Sequence, residues 1–217
     1  MLTHDNIRTN VTTTRETLFS IEAGDVIFGG LPLFHCFGQT CAMNTAISGG
    51  ATLDLLPPRF DPVEALRMIA EDGITIFMGV PSMFVAVLQV PEHAQTDASK
   101  LRLAVSGGSS LPVEVLHGFE RDLGVTVLEG YGLSETSPVA SFNRAEQAKP
   151  GSIGTPIRGV EFCLQTPTAT PSPTSTPSGD LHPRRERDEG VPEQPRRHRR
   201  GDARRLVPHR RPGRRRQ

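Results

Sequence analysis

Short apolar runs alternate with amphipathic stretches through the first 164 residues. Asp25 to Phe28, Ala51 to Leu56, Ile74 to Met78, Leu101 to Val105 and Val125 to Leu128 have the length and the Val, Ile and Leu content of buried strands. The stretches between them read as helices. Gln39 to Ser48 is closed by Gly49-Gly50. Asp61 offers an N-cap with Pro62 at the first helical position, and Val63, Leu66, Ile69 and Ala70 share one face before Gly73 stops the helix. Pro81 to about Gln89 and Val113 to about Leu123 predict two more, and an opening helix would carry Ile7, Val11 and Leu18 along one side. Strands alternating with helices in this way predict an α/β fold with a mainly parallel sheet and flanking helices. Ligands of such sheets sit beyond the carboxyl ends of the strands, so chemistry is expected in the segments just after each strand.

Composition divides the chain at about residue 165. Residues 1–165 carry 10 Lys+Arg against 18 Asp+Glu, net −8, and residues 166–217 carry the other 14 against 6, net +8, so the overall balance of zero conceals two unlike pieces. The second piece has no Phe, Ile, Met or Tyr. Thr166 to Thr176 is low-complexity Thr/Pro/Ser, and from Pro183 onward the chain is Arg-rich. Such a composition cannot bury enough apolar surface to offset its ordering entropy. Residues 1–164 are therefore expected to form the folded domain and residues 165–217 a disordered Pro/Arg-rich tail. Cys36, Cys41 and Cys163 have no metal-ligand spacing, which suits ordinary thiols in a reducing compartment. No apolar run approaches the ~18–20 residues of a membrane span, and the first residues lack a signal-peptide pattern. A cytoplasmic protein is expected.

The stretch with the most chemistry is Val127 to Pro138, VLEGYGLSETSP. The apolar strand breaks at Gly130 and Gly132, which flank the only tyrosine of the chain, and the two glycines would let backbone approach a flat ligand. Tyr131 offers a ring to stack on such a ligand. Ser134 and Glu135 offer a hydroxyl and a carboxylate to phosphate oxygens and a divalent cation. On local chemistry alone, a strand ending in a Gly-rich turn, with Tyr131 in the core and Glu135 solvated, competes evenly with this reading.

GYGLSET resembles the GYGxTE signature of the adenylate-forming (AMP-binding) superfamily, which comprises acyl-CoA synthetases, peptide-synthetase adenylation domains and luciferases. The resemblance implies that Tyr131 stacks on adenine, Ser134 meets phosphate and Glu135 holds Mg²⁺, with Glu129, Gly130 and Gly132 beside the nucleotide. Ser134 stands where threonine is commoner. About twenty residues upstream, Ser106 to Pro112, SGGSSLP, resembles the family's strand-turn segment whose backbone lines adenine and ribose, which implies Gly107, Gly108 and Ser109 as further contacts. LPLFHCFGQ resembles the family's P-x-F-H segment near the acyl group, and His35 inherits that role by position; alone, a histidine among Phe34, Cys36 and Phe37 reads as a core residue. MLTHDN resembles the residues just after the family's phosphate-gripping loop, and Lys149 to Pro156 its K-x-G-S-x-G-x-P linker into a β-rich subdomain, whose first strand would be Gly159 to Leu164. Neither glycine cluster fits a dinucleotide fingerprint, a P-loop or a nucleophile elbow.

The resemblance thus implies part of the large N-terminal domain of a fatty acid–CoA ligase: ATP, Mg²⁺ and coenzyme A would join a medium or long fatty acid to the CoA thiol through acyl-AMP. His35, Ser134 and Glu135 would be its catalytic residues, and its partners would be small molecules rather than nucleic acid. Residues 185–195, RERDEGVPEQP, can be recoded by synonymous codons so that the same bases, read one position forward, spell GENVMKGYLNNP. Residues 201–213 can likewise become AMRDGWFHTGDL. Both resemble downstream segments of acyl-CoA synthetases, so the tail is expected to be an out-of-frame translation and the chain an inactive or weakly active fragment. The alternative expectation is a non-catalytic nucleotide-binding module whose basic tail binds nucleic acid.

Overall fold

The computed structural model describes residues 1–57 and 59–164, together with the backbone of 181–184. Helix α1, His4–Thr14, opens on a capping box in which Thr3 and Asn6 satisfy each other's backbone amides, and it continues as a π-helical turn, Arg15–Phe19. Strand β1, Val26–Gly29, is followed by a π-helix, Phe37–Asn44, that runs on into α2, Thr45–Gly49. Sequence periodicity predicts one helix over 39–48, and the wider π repeat of its first half is the difference. After β2, Thr52–Leu55, the Asp61 carboxylate accepts from the amides of Val63 and Glu64 to start α3, Pro62–Arg67. This helix ends in a second π turn, Met68–Asp72, at Gly73 with φ +74°. Strand β3, Ile76–Gly79, α4, Pro81–Leu88, β4, Leu103–Ser106, and α5, Val113–Leu123, complete the alternation.

Strand β5 departs from expectation. The apolar run predicts a stop at Leu128, with the glycines forming a turn, yet the strand spans Val127–Gly132 and carries the whole Gly-Tyr-Gly triplet. Its second half pairs antiparallel with β6, Val139–Phe142, which in turn pairs with β7, Thr155–Pro156. A seven-stranded sheet results, in the order β2-β1-β3-β4-β5-β6-β7, with the first five strands parallel. The expected α/β fold with a mainly parallel sheet and flanking helices is what the chain adopts. Strand β8, Glu161–Leu164, pairs antiparallel with β9, Leu181–Arg184, which lies past the domain boundary expected at 164. The remainder of the expected tail, including both recoded segments, lies outside the described residues. No helix among the described residues is long and apolar enough to cross a membrane.

Phe77 sits at the centre of the core. It stacks on Phe28 at 4.7 Å between ring centroids, meets Phe84 edge-on at 5.3 Å and lies tilted against Phe119 at 5.6 Å, and all four rings are buried. These contacts join β1 and β3 to α4 and α5, and each fully buried ring is worth roughly 1.5–3 kcal/mol of transfer free energy.

The amino ends of the strands are joined by ions. Arg102, just before β4, forms a bidentate pair with the buried Asp25, just before β1, through Nε at 2.9 Å and Nη2 at 2.8 Å. The same Nη2 donates to the carbonyls of Phe19 and Ser20. Thr75, just before β3, donates its hydroxyl to Asp25 at 2.7 Å and accepts the amide of Val26. Burial pushes the Asp25 carboxyl up, but Arg102, the Glu22 amide and the Thr75 hydroxyl outweigh it, and the net result lies below the ordinary carboxylate range. Stability supplied by Asp25 is therefore present above that range and is lost as pH falls toward its depressed folded value. Asp25→Asn is expected to lower unfolding free energy by about 2–4 kcal/mol, the pair being half exposed on its Arg102 side. Urea titrations from pH 7 to pH 3 check this: the difference between wild type and variant should shrink toward the acid end, and a constant difference would show that charge is not its source.

Candidate active site

Strands β3 and β4 and the parallel half of β5 end together, because Gly79, Ser106 and Glu129 are register partners across the three. The segments leaving β4 and β5 meet at one rim. Gly107 lies against the Phe37 ring, where an added Cβ would come within 3.1 Å of a ring carbon, so the end of β4 rests on the start of the π-helix. Gly108, with φ +86°, then turns the chain out to exposed Ser109 and Ser110. The Ser106 hydroxyl is buried without a hydrogen-bond partner among the described residues.

The Gly-Tyr-Gly glycines have a second reason to exist. A Cβ on Gly130 would collide with the ring of Phe142, its antiparallel register partner, and a Cβ on Gly132 with the Pro138 carbonyl. Both glycines thus admit β6 against β5, whatever else they admit. Tyr131 lies half-buried between them, opposite Ser141 at a register shift. Just beyond, Ser134–Thr136 form a single 3₁₀ turn that leaves the Ser134 hydroxyl and the Glu135 carboxylate exposed. Thr136 fixes this turn by accepting the Leu133 amide at 2.9 Å and donating to the Leu133 and Pro138 carbonyls.

The P-x-F-H segment comes to the same place. His35 is exposed, which sets aside the core-histidine alternative, and its Nδ1 accepts the Phe37 amide at 3.2 Å. An acceptor Nδ1 leaves the proton of a neutral imidazole on Nε2. The Ser134 hydroxyl donates to Cys36 Sγ at 3.5 Å, and that sulfur is 4.0 Å from His35 Nδ1, so two segments 98 residues apart in the chain share one mouth. Phe34 beside them is 95% exposed, an aromatic face open to an apolar ligand. Glu135 stands without a metal-ligating cluster: among the described residues no three His, Cys, Asp or Glu come together to hold an ion. One exposed carboxylate next to a hydroxyl fits a magnesium ion whose other ligands are phosphate oxygens and water.

Two supporting residues escape a reading of the sequence. Asn10 of α1 donates to the carbonyls of Val139 at 2.8 Å and Thr136 at 3.3 Å and accepts the Val139 amide, so the first helix holds the loop that carries Ser134 and Glu135. Asn143 caps β6 through the amide of Lys149 and the carbonyls of Glu129 and Ser152. A faint signal exists for Asn10 alone, since it falls with Val11 and Thr14 on the buried side of α1.

Backbone and hydroxyls, an aromatic ring and one exposed carboxylate thus gather at the carboxyl rim of a mainly parallel sheet, where open α/β folds hold their ligands. The chain belongs to the AMP-binding enzyme family, which it matches over residues 1–186. It is 39% identical over 166 residues to a long-chain-fatty-acid–CoA ligase of Bacillus subtilis, covering 76% of this chain and 30% of that one, and 32% identical over 178 residues to a feruloyl-CoA synthase of Amycolatopsis, covering 80% and 35%. Among solved structures, ATP-bound MatB from Rhodopseudomonas palustris superposes with a TM-score of 0.76 at 28% identity, over 85% of this chain and 36% of that one. The chain thus spans about a third of the length of these proteins.

Gly130→Ala is expected to cost about 1–3 kcal/mol by overpacking against Phe142, whereas Gly24→Ala, where an added Cβ meets nothing within 4 Å, should be close to neutral. Thermal unfolding of the two variants side by side checks this. Equal stabilities would show that β6 can move away at no cost.

Proposed function

We propose that residues 1–164 form the nucleotide- and acyl-facing part of an ATP-dependent fatty acid–CoA ligase. The supporting observation is the contact between Ser134 and Cys36, which puts the phosphate-facing turn and the His35 segment at one mouth. In this reading the carboxylate of a fatty acid attacks the α-phosphorus of ATP, pyrophosphate leaves, and the acyl-AMP so formed passes its acyl group to the thiol of coenzyme A, releasing AMP. Tyr131 stacks on adenine, with the backbone of Gly107 and Gly108 and the Ser109 hydroxyl lining the other side. Ser134 donates to a phosphate oxygen. Glu135 would hold Mg²⁺, which when bound neutralises phosphate charge as a Lewis acid. His35 lies where the acyl group would enter, beside the exposed Phe34. No protein nucleophile is needed, because positioning and charge stabilisation account for the rate. A fatty acyl substrate is favoured by the LPLFHCFGQ segment and by the Bacillus subtilis relative.

The chain contains one tyrosine and no tryptophan, so its intrinsic fluorescence near 300 nm reports on Tyr131 alone. Titration with AMP is expected to change that emission saturably. Calorimetry should show Tyr131→Phe binding AMP within about threefold of wild type and Tyr131→Ala binding it at least tenfold more weakly, the loss of one base–aromatic stack. Equal AMP affinity of Tyr131→Ala and wild type would remove Tyr131 from the site, and absence of any saturable response would remove the nucleotide.

A further inference from the structure

The carboxylate of Glu129 is buried, 8% exposed for the residue, and pairs with no cation among the described residues. Its partners are two backbone amides. Oε1 accepts from Leu111 at 3.2 Å and Oε2 from Gly151 at 2.9 Å. The Glu129 carbonyl in turn accepts the amide of Asn143 at 2.9 Å and its side-chain nitrogen at 3.2 Å. Asn143 closes the ring by donating to the Ser152 carbonyl at 2.7 Å and accepting the Lys149 amide at 3.1 Å. One residue of β5 therefore grips the end of the Gly107-Gly108 turn with one oxygen and the start of the Lys149–Pro156 linker with the other.

Burying a carboxylate without a counter-ion is costly, and a scaffold that needed only packing there would be served better by an apolar side chain. What the carboxylate supplies is two acceptors held a fixed distance apart on one rigid group, aimed at two donors on different loops. Side chains two residues apart on a strand point to the same face, so Glu129 and Tyr131 share one face of β5. The two gripped loops accordingly flank the face on which the tyrosine ring lies. We propose that Glu129 is a positioning residue: it sets the separation of the Leu111 and Gly151 loops and thereby the width of the slot that receives a planar base over Tyr131. The proposal rests on the nucleotide reading for its consequence and on the hydrogen-bond geometry for its mechanism. It replaces the expectation that Glu129 itself contacts the nucleotide, since both of its oxygens face the protein.

The test compares the full chain with Glu129→Gln and Glu129→Ala by three measurements. Glutamine keeps the shape and one acceptor but turns an NH₂ toward the second amide, so one loop should be released; alanine should release both. Amide hydrogen exchange at Leu111 and Gly151 is expected to accelerate at least tenfold in Glu129→Ala, with Val105 and Leu128 unchanged. Acrylamide quenching of Tyr131 fluorescence should rise in step. AMP affinity should fall about tenfold in Glu129→Ala and by less in Glu129→Gln. Wild-type exchange rates at both amides in Glu129→Ala would overturn the clamp. Faster exchange with unaltered quenching would overturn its hold on Tyr131, and this pair of readouts decides the matter even where wild type gives no AMP response, a result that counts against the nucleotide reading alone. Faster exchange and altered quenching with unchanged AMP affinity would overturn the slot. Global loss of protection in both variants would show a folding role in place of positioning.

Discussion

The pair between Asp25 and Arg102 sets the frame in which everything else is placed. It joins the amino ends of β1 and β4, and Thr75 adds β3 to the same carboxylate. A parallel sheet has no hairpins to hold neighbouring strands in register, so the buried pattern of each strand sets it and side chains at the strand ends add to it. Strands β3 and β4 start in step, Ile76 opposite Leu103, and Gly79, Ser106 and Glu129 lie in line across β3, β4 and β5. The ions at the amino rim and the segments at the carboxyl rim thus sit at opposite ends of β3 and β4, related by register rather than by contact. The phenylalanine cluster between the rims adds cohesion and opposes a one-residue slip, which would turn Phe28 and Phe77 to the other face.

At the carboxyl rim the glycines serve two demands at once. Gly130 and Gly132 allow β6 to close on β5, and that closure brings Asn10 and Asn143 within reach of the motif from opposite directions. The turn holding Ser134 and Glu135 is consequently tied to α1 through Asn10 and to the Pro138 carbonyl before β6 through Thr136, while Ser134 and Glu135 stay exposed. Tethered backbone with exposed side chains is the condition for a preorganised binding loop, since little ordering is left to be done when a ligand arrives.

Much of this was legible in the amino-acid sequence. Helix α5 falls where its periodicity places it, the caps at Asp61 and Gly73 act as their residue types imply, and the strand-helix alternation yields the parallel sheet. Strands β3 and β4 begin two residues and end one residue later than their apolar runs. The extension of β5 was hidden because a glycine beside an aromatic reads as a turn unless the antiparallel partner is known, and Phe142 is twelve residues from Gly130. The π-helical start at Phe37 was hidden for a related reason, that its apolar spacing also suits an α-helix. The partners of Asn10 and Asn143 could not be found from pattern, because their work is done on backbone groups more than a hundred residues away in one case and across a loop in the other.

Glu129 and Glu135 show how far residue type underdetermines role. They lie six positions apart in one motif, and the resemblance sends both to the nucleotide. Burial separates them. At Glu129 the strand continues into the sheet, and the only way to keep a charge there is to give it donors, which the Leu111 and Gly151 amides provide. At Glu135 the chain has left the strand, no backbone amide reaches the carboxylate among the contacts of the described residues, and the side chain is exposed. The same functional group becomes a fixed strut in one environment and an available ligand in the other. Continuation of β5 by a few residues decides which is which, so the fold error a turn assignment makes at Gly130 is also an error about chemistry.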